Sequence, residues 1–403
     1  MTRFLPLALA LVAALPDLAA AQDHRARAAR ILRTTPLIDG HNDIPDAIRE
    51  RGGLDSVDLA QTQPRLHTDI ARLRAGGVGA QFWAAYVPVS TMEPDSPTRP
   101  AVYALEQIDL AHRLCRRYPA VFADAVTAAD IDRNFQAGRI SCLIGIEGGH
   151  AIENSLGALR AFYDLGVRYM TLTHWRTIDW ADAATDSARH GGLTPFGEDV
   201  VREMNRLGML VDLSHVSDAT MMDALRVTRA PVIYSHSSAR AIANHTRNVP
   251  DSILRRVAAN RGVVMVNFNP PFVSEARRVY ELRRDSVQAA MRAAGVDSVA
   301  RRDTLRAWNA RAPVVTLQQV ADHMDHIRRI AGVDYVGLGS DFDGISGVPQ
   351  RLEDVGKFPD LLAELLRRGW SEEDVRKATG LNLLRVMREA ERVSGERAGA
   401  GVR

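Results

Sequence analysis

Pro36-Leu37-Ile38-Asp39-Gly40-His41-Asn42-Asp43 is an apolar strand signal that ends in a His-x-Asp pair. Side chains alternate faces along a strand, so residues two apart share a side and His41 and Asp43 can grip one ion. Working outward, the same kind of segment recurs at 76–87, 140–147, 169–173, 209–213, 232–234, 263–268 and 335–338. Each is short, apolar on both faces and separated from the next by a helical stretch, as expected of a parallel sheet covered by helices. Between 98 and 117, for example, the spacing of Val102, Leu105, Ile108, Leu110 and Leu114 is helical. A second helix is expected around 156–165 with Gly166 at its C-cap, and a third over 218–226 capped by Ser217 or Asp218.

Eight such units predict an α/β chain folded as a (β/α)8, TIM-like barrel, in which catalytic groups project from the C-terminal strand ends. A doubly wound open sheet is the alternative. Reading the eight ends in order gives His41 with Asp43, Trp83 or Tyr86, Glu147, His174, His215, His236, Asn267 and Asp341. A carboxylate closing an apolar strand, as Glu147 does, is expensive to bury without a cation. His215 and His236 each close a strand in Ser-His, and neutral imidazole is a common ligand for zinc-like ions. One metal would be held by His41, Asp43 and Glu147, and a second by Glu147, His215 and His236. Two ions about 3.5 to 4 Å apart can bind a shared hydroxide and polarise a carbonyl at once. Asp341 is the natural acid/base on the eighth strand, while Asp343, just before Gly344, reads as a turn residue.

The segments Asp39-Gly40-His41-Asn42-Asp43, Ile146-Glu147-Gly148-Gly149-His150, Thr171-Leu172-Thr173-His174, Asp212-Leu213-Ser214-His215, Ser235-His236-Ser237-Ser238-Ala239 and Ser340-Asp341-Phe342-Asp343-Gly344 closely resemble the membrane (renal) dipeptidase family of the amidohydrolase superfamily. The resemblance runs from about Thr35 to Val386. It implies a zinc-dependent metallopeptidase with two Zn2+ per chain that releases two amino acids from a dipeptide, often tolerating a D-residue at the C-terminal position. The family's metal ligands fall on His41, Asp43, Glu147, His215 and His236, and its proton-transfer aspartate on Asp341. The histidine that contacts the substrate carbonyl falls on His174, and the arginine that binds the substrate carboxylate on Arg247. Homodimers are common in that family. His150 matches its pattern, with no role beyond a contact to the ligands.

The remaining features concern address and partners. Residues 1–21 carry Arg3, an apolar run and Ala19-Ala20-Ala21, the pattern of a cleaved secretory signal, which predicts a periplasmic or secreted mature protein. Pro16 and Asp17 interrupt the run, so no membrane anchor is expected. A net charge of +2, with 51 basic and 49 acidic residues scattered along the chain, gives no field for nucleic acid. Cys115 and Cys142 can pair in an oxidising compartment, but Cys142 suits a buried strand equally well as a free thiol. Residues 22–403 read as one metallohydrolase domain, with a charged helical insertion at 271–313 after strand seven that departs from the repeat. The expected function is an exported dizinc dipeptidase. A related amidohydrolase acting on N-acyl amino acids or lactams, and a non-catalytic periplasmic binding protein, are the alternatives.

Overall fold

The structure, a computed structural model, describes residues 23–400. The signal expected over 1–21 lies outside the described residues. A helix over 23–32 leads into the first strand. Nine strands follow: β1 (Leu37–Asn42), β2 (Val78–Tyr86), β3 (Phe122–Asp124), β4 (Ile140–Glu147), β5 (Val167–Thr171), β6 (Leu210–Asp212), β7 (Ile233–Tyr234), β8 (Val263–Val266) and β9 (Val336–Leu338). Every pairing between neighbours is parallel, in the order β2-β1-β9-β8-β7-β6-β5-β4-β3.

A further pairing of β2 with β4, from Ala80↔Ser141 to Tyr86↔Glu147, closes eight of these strands into a barrel. The expected (β/α)8 fold is therefore present, and the open sheet is overturned by that one seam. The ninth strand, β3, went unread because its three residues carry no periodic signal. It lies along the first half of β4, at Phe122↔Ile140, where β5 does not reach, since β5 joins β4 only from Ile144↔Val167 onward. Its backbone groups thereby pair an edge that would otherwise be left open.

Closure explains why the strands are apolar on both faces. Ile38, Phe82, Leu143, Tyr169, Ile233 and Met265 face a common interior, and the final helix, Asn382–Ala400, packs Leu383, Leu384 and Met387 against the same set. Trp83, Ile144, Ile146, Val211 and Val264 belong instead to the layer that includes the outer helices. Gly145 has a specific duty here, because a Cβ at that position would stand 2.0 Å from the Tyr169 ring. The missing side chain lets Tyr169 reach across the barrel.

The open question of the cysteines is settled by a disulfide, Cys115–Cys142, which ties the helix Pro100–Arg117 to β4. Ser217 rather than Asp218 caps the helix Asp218–Val227, its hydroxyl accepting from the Thr220 N–H at 3.2 Å. After β8, the seventh barrel strand, the insertion forms two helices, Glu275–Ala293 and Ser298–Ala310. Neither contains a buried residue, and the Tyr280 hydroxyl donates to the Trp308 carbonyl at 2.8 Å between them. Among the described residues no helix is long and apolar enough to cross a membrane.

Candidate metal centre

The expected residues converge at the C-terminal mouth of the barrel. His41 lies near the end of β1 and Asp43 just after it, Glu147 ends β4, and His174, His215, His236 and Asp341 lie just beyond β5, β6, β7 and β9. Glu147 sits at the middle. Its Oε1 is 3.0 Å from His215 Nε2 and 3.2 Å from His236 Nε2, while its Oε2 is 3.6 Å from His41 Nε2. His41 Nε2 in turn lies 3.3 Å from Asp43 Oδ2. Two groups of potential ligand atoms, His41–Asp43–Glu147 and Glu147–His215–His236, each fall within 4.8 Å, and Glu147 belongs to both. A third group, His41–His236–Asp341, puts Asp341 within the same reach.

The chemistry of this set fits cations. His41 Nε2 and Asp43 Oδ2 are buried without a hydrogen-bond partner. His215 Nε2 and His236 Nε2 face each other at 3.0 Å while both face a carboxylate oxygen. Burial pushes both of these imidazoles well below their ordinary pKa, so neutral rings present lone pairs. Imidazole nitrogens and carboxylate oxygens around shared points are the donor set of zinc-like ions. Burial alone would push the Glu147 carboxyl up, but His41 above all, with the imidazoles of His174, His215 and His236 around it, holds it well below the carboxylate range. Burial, reinforced by the charge of Asp43, pushes Asp341 up to about 8.

Buried carboxylates beneath the ligands set their orientation, and these the sequence did not reveal. Asp212 accepts from the backbone N–H groups of Ser214 and Ser235, at 3.1 and 2.8 Å, and from the hydroxyls of Thr171 and Ser235, at 2.5 and 2.6 Å. With its single proton committed to Asp212, Ser235 Oγ becomes the acceptor for His236 Nδ1–H at 2.7 Å, which leaves Nε2 free. Asp39 accepts from the N–H and hydroxyl of Ser340, at 2.8 and 2.6 Å, locking the end of β9 to β1. His41 Nδ1 lies 2.8 Å from the hydroxyl of Tyr169, the ring that Gly145 admits. A carboxylate inside an apolar strand, two or three residues before a histidine, is the pattern that could have marked Asp39 and Asp212.

A cavity of about 260 Å³ opens over the cluster, lined among others by Tyr86, Glu147, His174, Arg247 and Asp341. Tyr86 is thus the strand-two residue at the site. Trp83 is not: it is fully buried in the layer beneath the helices and donates to Cys142 Sγ at 3.2 Å. Asn267 acts through Asp341, donating to its Oδ2 at 2.8 Å. Asp343 is more than a turn residue, since its Oδ1 accepts the His67 N–H at 2.7 Å and its side chain is nearly inaccessible. His215 and Asp341 both hold left-handed backbone, with φ of 70° and 66°, a cost that recurs where side chains must be aimed into a site. At Gly344 a Cβ would stand 2.2 Å from Asp43 Oδ2, so only glycine leaves that carboxylate its place. His174 Nε2 is 3.8 Å from Glu147 Oε1, and burial pushes its pKa down to about 4, so it is neutral. His150 does not line this cavity and packs against Gly148.

Arg247 is the unusual cation of the cavity, only 1% exposed. Its Nη1 donates to Ser237 Oγ and its Nη2 to the His236 carbonyl, both at 3.2 Å, while Nε has no partner. Burial lowers its pKa to about 10, which leaves it charged at neutral pH. Among the described residues its guanidinium is bonded to a hydroxyl and a carbonyl and to no carboxylate, so it can receive one from a ligand.

Comparison with known proteins places this arrangement. The family model for membrane dipeptidases (peptidase family M19) matches residues 25–400. Dipeptidase 3 of Rattus norvegicus is 42% identical over 376 residues, covering 92% of this chain and 68% of that protein. Among solved structures, the probable dipeptidase PvdM from Pseudomonas aeruginosa superposes with a TM-score of 0.79 at 21% identity, over 92% of this chain and 99% of the other. A metallopeptidase from Rhodobacter sphaeroides, liganded with a phosphinate mimic of the dipeptide L-Ala-D-Ala, superposes with a TM-score of 0.69 at 27% identity, over 89% and 99%. With a match across nearly its whole length, this chain belongs to the membrane dipeptidase family of metallopeptidases, peptidase family M19.

Proposed function

We propose that the protein is an exported dizinc dipeptidase that cleaves dipeptides carrying a free C-terminal carboxylate, L,D-dipeptides among them. The observation that carries this reading is Glu147 shared by two three-ligand groups in one cavity with Asp341 and a buried, carboxylate-free Arg247. His41, Asp43 and Glu147 would hold one ion, and Glu147, His215 and His236 the other. Two divalent ions, when bound, supply Lewis acidity toward the scissile carbonyl and bring the pKa of a water toward neutrality.

The chain's own residues do the rest. Arg247 holds the substrate carboxylate in its guanidinium fork and so fixes the register of the peptide bond. Neutral His174 donates a hydrogen bond to the carbonyl oxygen as negative charge develops there. Asp341, held by Asn267, takes the proton of the attacking water and delivers it to the leaving amine. Burial and nearby carboxylates push Asp341 up, cations in the same cluster act in the opposite direction, and the balance suits a proton shuttle working near neutral pH. Asp46 and Glu50, on the same cavity wall, suit the ammonium of the N-terminal residue. Tolerance of a D-residue draws support from the phosphinate mimic of L-Ala-D-Ala bound by the Rhodobacter sphaeroides relative. Export draws support from the leader pattern and from the Cys115–Cys142 disulfide, which persists in oxidising compartments.

The test measures metal content of the purified mature protein together with hydrolysis of L,L- and L,D-dipeptides, with and without chelator. About two zinc ions per chain and chelator-sensitive cleavage are expected. Metal-loaded protein that leaves every dipeptide intact would overturn the reading, and an uncleaved leader on protein recovered from the producing cells would overturn export.

A further inference from the structure

The cavity over the metal cluster does not end at Arg247. A second space of about 400 Å³ adjoins it, and Trp175, Asn269, Phe272, Gly344 and Ile345 line both. The outer wall of this second space is the inserted helix Glu275–Ala293, which buries none of its residues and so adds little to the core. On its walls stand two large apolar side chains from separate elements, Leu282 at 54% and Trp175 at 41% exposed. One exposed leucine is ordinary, but two such side chains on one concave surface beside a reaction site are what an apolar ligand group covers.

Charge argues the same way. The arginines of this wall are already matched: Arg277 pairs with Glu281 at 2.7 Å, Arg284 with Asp285 at 2.9 Å, and Arg278 with Glu275. Little net field is left to draw an anion. What remains on offer are aliphatic stems and flat guanidinium faces, which suit an aromatic ring. Phe272 gives the direction. The Arg247 guanidinium lies 5.4 Å from its ring centroid, and the ring of His245, which also lines the second space, lies 4.4 Å away. A peptide whose carboxylate sits on Arg247 therefore has its C-terminal residue beside Phe272, at the junction of the two spaces.

We propose that the outer cavity is a subsite for a large apolar or aromatic side chain on the C-terminal residue of the substrate, and that the inserted helix determines this specificity. The proposal rests on the dipeptidase reading above. It is tested on the metal-loaded mature protein by comparing kcat/KM for Ala-Gly, Ala-Ala, Ala-Phe, Ala-Asp and the reversed Phe-Ala. Ala-Phe is expected to exceed Ala-Gly by about tenfold or more, mainly through KM, with no such gain for Phe-Ala. Leu282→Asp, a change at an exposed position, is expected to collapse the Ala-Phe to Ala-Gly ratio to within about threefold. Cleavage of Ala-Gly with a flat series, with Ala-Asp preferred, or with the gain following Phe-Ala, overturns the subsite and leaves the dipeptidase reading standing. No cleavage of any dipeptide overturns both.

Discussion

Replacing Ser235 by alanine removes an oxygen that three buried groups share. Ser235 Oγ lies 2.6 Å from Asp212 Oδ2, 2.7 Å from His236 Nδ1 and 3.4 Å from Ser214 Oγ. Asp212 keeps three other donors, so the carboxylate survives the loss. His236 does not fare as well. At 1% exposure its Nδ1–H has no water to turn to, and an unpaired buried donor costs about 1–3 kcal/mol. The ring escapes that cost only by moving its proton to Nε2, the atom 3.2 Å from Glu147 Oε1, and this consumes the lone pair a cation needs. By either route cation binding weakens. Loss of such an orienting partner typically lowers metal affinity about 10- to 100-fold, or about 1.4–2.7 kcal/mol. Competition of the metal-free protein against a chromogenic chelator for zinc measures this directly, and a thermal melt of the metal-free variant verifies that it folds. A folded Ser235→Ala protein that binds zinc as tightly as the parent would refute the orienting role of the Asp212–Ser235–His236 chain.

Other outcomes follow from the same geometry. Asp341→Asn should retain its metals and lose about 10²- to 10⁴-fold in kcat, since only proton transfer is removed; full turnover would exclude it as the proton carrier. Arg247→Ala should raise KM for free dipeptides far more than for C-terminally amidated ones, and equal losses on both would argue against the carboxylate contact. Reducing Cys115–Cys142, which closes a loop across a sequence separation of 27, should lower stability by about 3.5 kcal/mol, read as a drop in Tm with reductant. His323 is buried and neutral, accepting at Nδ1 from the Ala239 N–H at 3.0 Å and donating from Nε2 to the Val273 carbonyl at 2.9 Å. Burial pushes its pKa down to about 4, so the unfolded chain binds the extra proton first. Its contribution, on the order of 3 kcal/mol, should be complete above about pH 6.5 and vanish as pH falls toward 4. Melts of the metal-free protein over that range should slope more steeply for the parent than for His323→Gln, and parallel slopes would discount it.

Local order along the chain determined a good deal of this protein by itself. The strand ends at His41, Glu147, His215, His236 and Asp341 were legible because a polar residue that stops an apolar run stands out against its neighbours, and barrel topology sends every such end to one mouth. The sequence motifs also led to the family that the comparisons established. Other features depended on contacts between residues far apart. Closure rests on the β2–β4 seam, which no property of either strand announces, and β3 exists only because β5 begins too late to cover β4. Pairing of Cys115 with Cys142 required a helix and a strand to meet, and the displacement of Trp83 from the site required knowing which face of β2 turns outward. The orienting roles of Asp212, Asp39 and Tyr169 are likewise tertiary, because each hydrogen bond joins different strands, across 23 residues for Ser235–Asp212 and 301 for Ser340–Asp39. Residue type and strand period are local and can be read in order, but which donor meets which acceptor is fixed only when the barrel closes and excludes water from the space between them.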